Sequence, residues 1–171
     1  MKKIIDDKKI RIFGYGSLLS EESLQETAPN SKIISNGFIS NYMRIFNKPA
    51  KNEYVAALNV VKSSGDFVNG VVIELHKKDF FTMIQREFRY DMVLVQVQTS
   101  IGYIEAYTFS YRQEDEREFI STSKDQIEYV ELCIEGAIQR GEEFYEKFMN
   151  STFIKQGITL KDYYDKTKKI N

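Results

Sequence analysis

Apolar and polar residues alternate through Ile10-Arg11-Ile12, a period-two pattern that predicts a strand over residues 9–15. The run SEESLQET, residues 20–27, predicts a short helix with Ser20 as its N-cap. SKIISNGFI and NYMRIFNK read as two further strands. YVAALNVVK and FVNGVVIEL read as another pair, separated by Ser63-Ser64-Gly65-Asp66, whose composition predicts a hairpin turn. After His76 the period changes. Phe80, Phe81, Met83, Ile84 and Phe88 fall at helical spacing, which predicts an amphipathic helix over residues 77–87 with Phe88 on its core face. MVLVQVQT returns to period two, with Val93, Val95 and Val97 on one face. A turn at Ser100-Ile101-Gly102 leads into YIEAYTFSY, where Tyr103, Tyr107, Phe109 and Tyr111 alternate with other residues.

The last third reads as helical. Ile127, Val130, Cys133, Ile134, Ala137 and Ile138 share one face, with Gly141 as a stop signal, and Phe144, Tyr145, Phe148 and Met149 predict a further helix. Strands early, one inserted helix and helices late make an α+β pattern built on a mixed or barrel-like sheet. The absence of regular βαβ alternation disfavours a Rossmann domain. No internal repeat or low-complexity linker divides the chain, so one domain over residues 1–171 is expected, with a core over 10–141 and a helical C-terminal extension over 142–171.

Composition narrows the chemistry. A chain of 171 residues with 42% hydrophobic content can bury one sizeable core. Its 24 basic and 25 acidic side chains nearly cancel, which argues against a nucleic-acid partner. Lys166, Lys168 and Lys169 read as a solvated end. Cys133 and His76 are the only residues of their types, so an intrachain disulfide, a thiolate cluster and a His–His metal motif are all excluded. Cys133 reads as a buried helix residue, and His76 as a residue near the start of the inserted helix. The N-terminal MKKIIDDKKI has an acidic pair where a secretory signal needs an apolar run, and no apolar segment approaches the length of a membrane span. The expectation is a soluble cytoplasmic protein without a membrane partner.

Two stretches carry candidate chemistry. In IRIFGYGSLL, Gly14 and Gly16 stand at the end of the first strand. The Lys and Ser/Thr of a P-loop are missing after them, and GxGxxG fails at Leu19. A glycine turn between a strand and a helix N-terminus lets backbone N–H groups approach an anion or a developing oxyanion. In QREFRYD, residues 85–91, Glu87 lies where the inserted helix meets the next strand, between Arg86 and Arg89. Two readings stay open: a solvated Glu paired with an arginine, or a partly buried carboxylate whose raised pKa suits proton transfer near neutral pH.

Together these stretches resemble the γ-glutamyl cyclotransferase family, including its glutathione-degrading ChaC-type branch. The resemblance rests on Tyr15-Gly16-Ser17-Leu18 after a strand, and on Glu87 between a helix and a strand with Tyr90 just beyond. Weaker matches are Gly37, Tyr42, Arg44 and Phe46, then VNGVVIEL, then the helix from Tyr129 through Gly136-Ala137 with Gly141 beyond. It spans residues 10–141, in order. The chain departs from ChaC-type sequences in having Ser20 and no tryptophan after the glycine motif, and Phe88-Arg89 between the glutamate and the tyrosine.

The resemblance implies a small mixed β-barrel with flanking helices. It also implies a cofactor-free, metal-free reaction in which the α-amine of a small-molecule γ-glutamyl substrate attacks its own γ-carbonyl. The products are 5-oxoproline and an amine. Glu87 takes the acid–base role. The backbone of Gly16, Ser17 and Leu18 would hold a substrate oxygen, Tyr15, Tyr90 and Tyr129 would orient the substrate through hydroxyl hydrogen bonds, and Arg44 would fix a substrate carboxylate. Tyr129 ranks ahead of Tyr90, since it matches a longer motif. Glutathione, γ-glutamyl amino acids and γ-glutamyl amines remain open as substrates. The alternative is a non-catalytic binding or interaction module on the same fold.

Overall fold

The computed structural model describes residues 9–169; the reading of a missing signal segment at the N-terminus falls largely on residues 1–8 and lies outside them. Strand β1 (Ile10–Gly14) pairs antiparallel with β3 (Ala56–Leu75), from Ile10 opposite Leu75 to Gly14 opposite Val71. On its other edge β1 runs parallel to β5 (Gly102–Ser110), which pairs antiparallel with β4 (Asp91–Thr99). Strand β2 (Lys32–Pro49) meets β4 at Phe38 and pairs with β3 along most of its length. The order β3-β1-β5-β4-β2 therefore closes back on β3. Closure leaves five strands around a core that includes Ile12, Phe13, Phe46, Val60, Val71 and Val97.

The predicted hairpin turn at Ser63–Asp66 is instead a bulge. The register steps from Ser40 opposite Phe67 to Tyr42 opposite Lys62, so Asn41 alone faces four residues of β3. Asn41 and Gly65 both have positive φ, and the Gly65 N–H donates to Asn41 Oδ1 at 3.1 Å. Pairing resumes on either side. The four segments read from the sequence are thus two long bent strands, because a bulge keeps the ladder that a reversal would end. The true reversal lies between Ala50 and Val55, where the Ala50 N–H donates to the Val55 carbonyl.

Helix α1 (Glu21–Thr27) starts as expected, with Ser20 Oγ accepting from the Ser23 N–H. The inserted helix is shorter than its periodicity predicts. A 3-10 turn at Lys77–Asp79, capped by His76, precedes α2 (Phe80–Arg86). Phe80 and Met83 are buried, but Phe81 and Phe88 are 70% and 56% exposed. The chain leaves the helix at Glu87 and takes a positive φ at Arg89, which turns Phe88 away from the core face. Buried Asp79 ties this corner down by accepting from the Asn30 backbone and side chain and from Ser31 Oγ.

Helix α3 (Lys124–Gln139) is capped by Ser123 and buries Val130, Cys133 and Ala137, whereas Ile138 is exposed. Gly141, at φ 108°, ends this run and opens α4 (Glu142–Ser151). The segment beyond holds more than helices. Strand β6 (Thr152–Lys155) runs parallel to β2 at Arg44, β7 (Ile158–Thr159) pairs with β6, and α5 (Leu160–Lys168) begins in a capping box between Thr159 and Asp162. Phe148 and Leu160 are fully buried in the same core. No helix among the described residues is long and apolar enough to cross a membrane.

Candidate active site

The site forms where β1 ends. Tyr15 and Gly16 lead into a 3-10 turn at Ser17–Leu19, closed by Leu19 N–H to Gly16 O at 3.0 Å and Ser20 N–H to Ser17 O at 3.2 Å. The glycine turn thus opens on this tight turn, with Ser20 left to cap α1. Among the described residues, the N–H groups of Gly16, Ser17 and Leu18 have no backbone or side-chain acceptor. Space is tight at both glycines. A Cβ at Gly14 would stand 3.0 Å from Leu18 Cβ, and one at Gly16 would stand 3.3 Å from Leu58 Cδ1 and 3.7 Å from Tyr129 Oη.

Facing the turn is Glu87, at the C-terminal end of α2, its N–H bonded to the Met83 carbonyl. Glu87 and the segment Gly14–Leu18 line one narrow recess of about 30 Å³ with Tyr15, Leu58, Tyr90, Phe109 and Tyr129. The Glu87 side chain is only 13% exposed. Burial raises its pKa above the ordinary carboxylate range, while Arg86 and Lys48 pull the other way. Exposed Phe88 does not supply the apolar neighbourhood; the barrel wall opposite does, through Leu58, Phe109 and the tyrosine rings. Of the two readings open for Glu87, burial supports the second. The arginine contact is present as well, with Arg86 Nε 3.6 Å from Glu87 Oε1.

The three tyrosines meet in this recess with their hydroxyls already engaged. Tyr15 Oη donates to the Phe109 carbonyl at 2.5 Å and Tyr90 Oη donates to the Leu58 carbonyl at 2.5 Å. Tyr129 Oη accepts from the Leu58 N–H at 3.1 Å. Burial holds all three phenols well above their usual pKa. With these carbonyls taking their hydrogens, Tyr15 and Tyr90 keep oxygen lone pairs that can accept from a ligand.

Arg44 is a correction to the sequence reading. It is fully buried and lines neither the recess nor its mouth. Its Nε donates to Thr152 Oγ1, one terminal nitrogen to the carbonyls of Tyr15 and Asn69, and the other to Asn69 Oδ1 and Ser151 Oγ. Every guanidinium N–H is thereby used. The guanidinium also lies 4.1 Å from the centroid of the Phe148 ring. Burial lowers its pKa to about 9, so it keeps its charge at neutral pH. A substrate carboxylate cannot reach it; its work is to hold the Tyr15 carbonyl, which shares one peptide unit with the Gly16 N–H.

Two further residues emerge only from the structure. Arg86 spans the gap between α2 and the turn, donating to Ser17 Oγ at 2.8 Å, Ser23 Oγ at 2.7 Å, the Ser23 carbonyl and Thr27 Oγ1. Lys48, near the end of β2, is 7% exposed, with Nζ 4.3 Å from the Tyr90 ring centroid. Lys48, Lys51, Arg86 and Arg89 surround an outer cleft of about 450 Å³ that shares Ser17, Glu87, Tyr90 and Tyr129 with the recess. In sequence Lys48 is an unremarkable lysine before a proline, and only closure of the barrel turns it inward. Among the described residues no group of three or more His, Cys, Asp or Glu side chains is placed to hold a metal ion.

No family model matches the sequence, and the comparison with curated proteins finds no match either. Solved structures do match. The chain resembles a γ-glutamyl cyclotransferase with a TM-score of 0.70 at 21% identity, over 94% of this chain and 98% of that one. It resembles the uncharacterized protein loc79017 from Homo sapiens with a TM-score of 0.70 at 20% identity, over 94% and 99%. It resembles YkqA from Bacillus subtilis with a TM-score of 0.68 at 18% identity, over 87% of this chain and 56% of that longer one. The closed mixed barrel with its flanking helices is therefore the γ-glutamyl cyclotransferase fold.

Proposed function

We propose that this chain is a γ-glutamyl cyclotransferase-like enzyme that releases 5-oxoproline from a γ-glutamyl amide. One observation carries the reading: a buried carboxylate of raised pKa, Glu87, shares a recess with three backbone N–H groups that have no acceptor among the described residues. An intramolecular acyl transfer needs a base, an oxyanion site and a shape that folds the substrate. It needs no protein nucleophile, which fits a chain whose lone cysteine is buried in α3 and whose lone histidine caps a turn.

In this mechanism the substrate's α-amine attacks its γ-carbonyl carbon. Glu87 accepts a proton from that amine as the ring C–N bond forms, then delivers it to the departing nitrogen as the amide C–N bond breaks. Acid–base participation of this kind contributes roughly 10²–10⁴ in rate. Holding the glutamyl arm in a ring-ready shape contributes through proximity, about 7–11 kcal/mol at its upper range. The free N–H groups of Gly16, Ser17 and Leu18 hold a glutamyl oxygen, and those aimed at the developing oxyanion lower the barrier further. Tyr15 and Tyr90 accept from the substrate's N–H groups through their remaining lone pairs.

The deciding experiment measures 5-oxoproline release by the purified protein from glutathione, γ-glutamyl-alanine and γ-glutamyl-ε-lysine, with Glu87→Gln as control. Product that disappears in the variant is the expected result. Binding of these ligands without product from any would favour the non-catalytic module.

A further inference from the structure

The outer cleft carries positive charge that the described residues do not fully neutralise. Of its four cations, Arg86 is committed to Ser17, Ser23 and Thr27, and Arg89 to Asp115 and Tyr111. Lys48 is different. It is more than nine-tenths buried, yet among the described residues its ammonium has no carboxylate within ion-pair distance and no hydrogen-bond acceptor, only the face of Tyr90. Its Nζ is not sealed in the core but borders the cleft. Lys51, exposed at the rim, adds a second uncommitted charge beside Phe88. Glu87 is the only acidic residue lining this cleft, and it is not within ion-pair distance of Lys48.

Holding a lysine mostly buried, with its charged end at a cleft and no anion beside it, costs free energy, and a folded protein tolerates the cost where a ligand supplies the counter-charge. The position says which part of the ligand that is. Glu87 belongs to both the inner recess and the outer cleft, with the glycine turn on the inner side and Lys48 on the outer. A γ-glutamyl group seated on the turn amides puts its scissile nitrogen at Glu87 and its leaving half in the outer cleft.

Resting on the cyclotransferase reading, we infer that Lys48, assisted by Lys51, is an anion subsite for the leaving half of the substrate. It selects leaving groups that carry a carboxylate over neutral alkylamines. The same chemistry fits a γ-glutamyl amino acid or a longer γ-glutamyl peptide ending in a free carboxylate. A charge-assisted hydrogen bond of this kind corresponds to roughly a 10- to 100-fold preference.

The test measures binding and turnover separately, with γ-glutamyl-alanine, γ-glutamyl-ethylamide and glutathione. Binding is followed by calorimetry on Glu87→Gln protein, so that no ligand is consumed. At low salt, γ-glutamyl-alanine or glutathione should bind about tenfold or more tightly than the ethylamide, and the ratio should shrink as salt is raised. Preference for alanine alone assigns the subsite to an amino-acid carboxylate; preference for glutathione alone assigns it to a peptide terminus. In Lys48→Met the ratio should fall toward one, and Lys48→Arg should restore most of it. Equal binding of all three ligands to protein with Lys48 intact overturns the subsite, even if 5-oxoproline is released. Discrimination without any product upholds the subsite and sinks the cyclotransferase reading. No binding of any ligand overturns both. The comparison with Lys48 intact decides the matter even if Lys48→Met does not fold.

Discussion

Arg44 donates to the carbonyl oxygen of Tyr15 at 3.1 Å, fixing from below the peptide whose N–H belongs to Gly16. A buried cation here answers five acceptors with five donors and has no acidic partner among them. Lysine keeps the charge but offers three donors on a flexible stem. Arg44→Lys therefore strands buried acceptors, each costing about 1–3 kcal/mol. A thermal melt should show the midpoint lowered by roughly 2–4 °C for every kcal/mol lost. An unchanged midpoint would mean that Arg44 does not hold the turn.

Glu87 should lower stability while serving chemistry. Its folded pKa lies above that of an unfolded Glu, so the native state binds more protons between the two values. Stability attached to this group is fully present below the unfolded pKa and is lost as pH rises through the folded one. At any pH where this carboxylate is ionised, its burial is thus a net cost. Glu87→Gln should abolish 5-oxoproline release, by 10² or more in rate, while raising the melting midpoint at pH 7. Lost activity together with a lowered midpoint would point to a scaffolding role instead.

How much of this was legible in the sequence depends on the range of the interaction. Ser20 as a cap, the glycine turn at the end of β1 and Glu87 at the end of a helix are local, and local spacing found them. From the sequence the bulge at Asn41 and Gly65 looks like a reversal, because turn residues serve both; only the partner strand decides. The apolar pattern places Phe88 on the core face, but one left-handed residue, Arg89, ends the helical period before that pattern does. Arg44 and Lys48 are both basic residues on β2. Only the closed barrel shows that one is fully enclosed with five acceptors and that the other faces the cleft unpartnered.

Two glycines should separate space for a ligand from space for packing. A Cβ at Gly16 meets Leu58 and the Tyr129 hydroxyl at 3.3 Å and beyond, a tight but yielding fit at the recess wall. A Cβ at Gly136 in α3 would stand 2.6 Å from the Ser20 backbone nitrogen and 2.7 Å from the Leu19 carbonyl carbon, where backbone must move. Gly16→Ala should fold and raise KM for the γ-glutamyl substrate. Gly136→Ala should cost about 1–3 kcal/mol of stability through overpacking. Circular-dichroism melts beside steady-state kinetics distinguish the two. A reversed ranking in stability would contradict the packing described for α3 against the turn.

Lys48 also bears on the pH at which Glu87 works. Burial pushes the Glu87 carboxyl up, and the positive charges of Arg86 and Lys48 pull it back down. Burial in turn lowers the Lys48 ammonium, with Glu87 opposing that shift. Catalysis needs Glu87 ionised, so kcat/KM should fall on the acid side as the carboxylate takes a proton, at a pH above the ordinary carboxylate range. Lys48→Met removes one of the two charges favouring the ionised form. The acid limb should then move to higher pH. Lys48→Arg, keeping the charge, should leave it close to its original position. The profile is best recorded with γ-glutamyl-ethylamide, so that loss of a carboxylate contact does not mix with the titration. An acid limb that stays put in Lys48→Met, or moves to lower pH, would show that Lys48 does not act on Glu87 electrostatically.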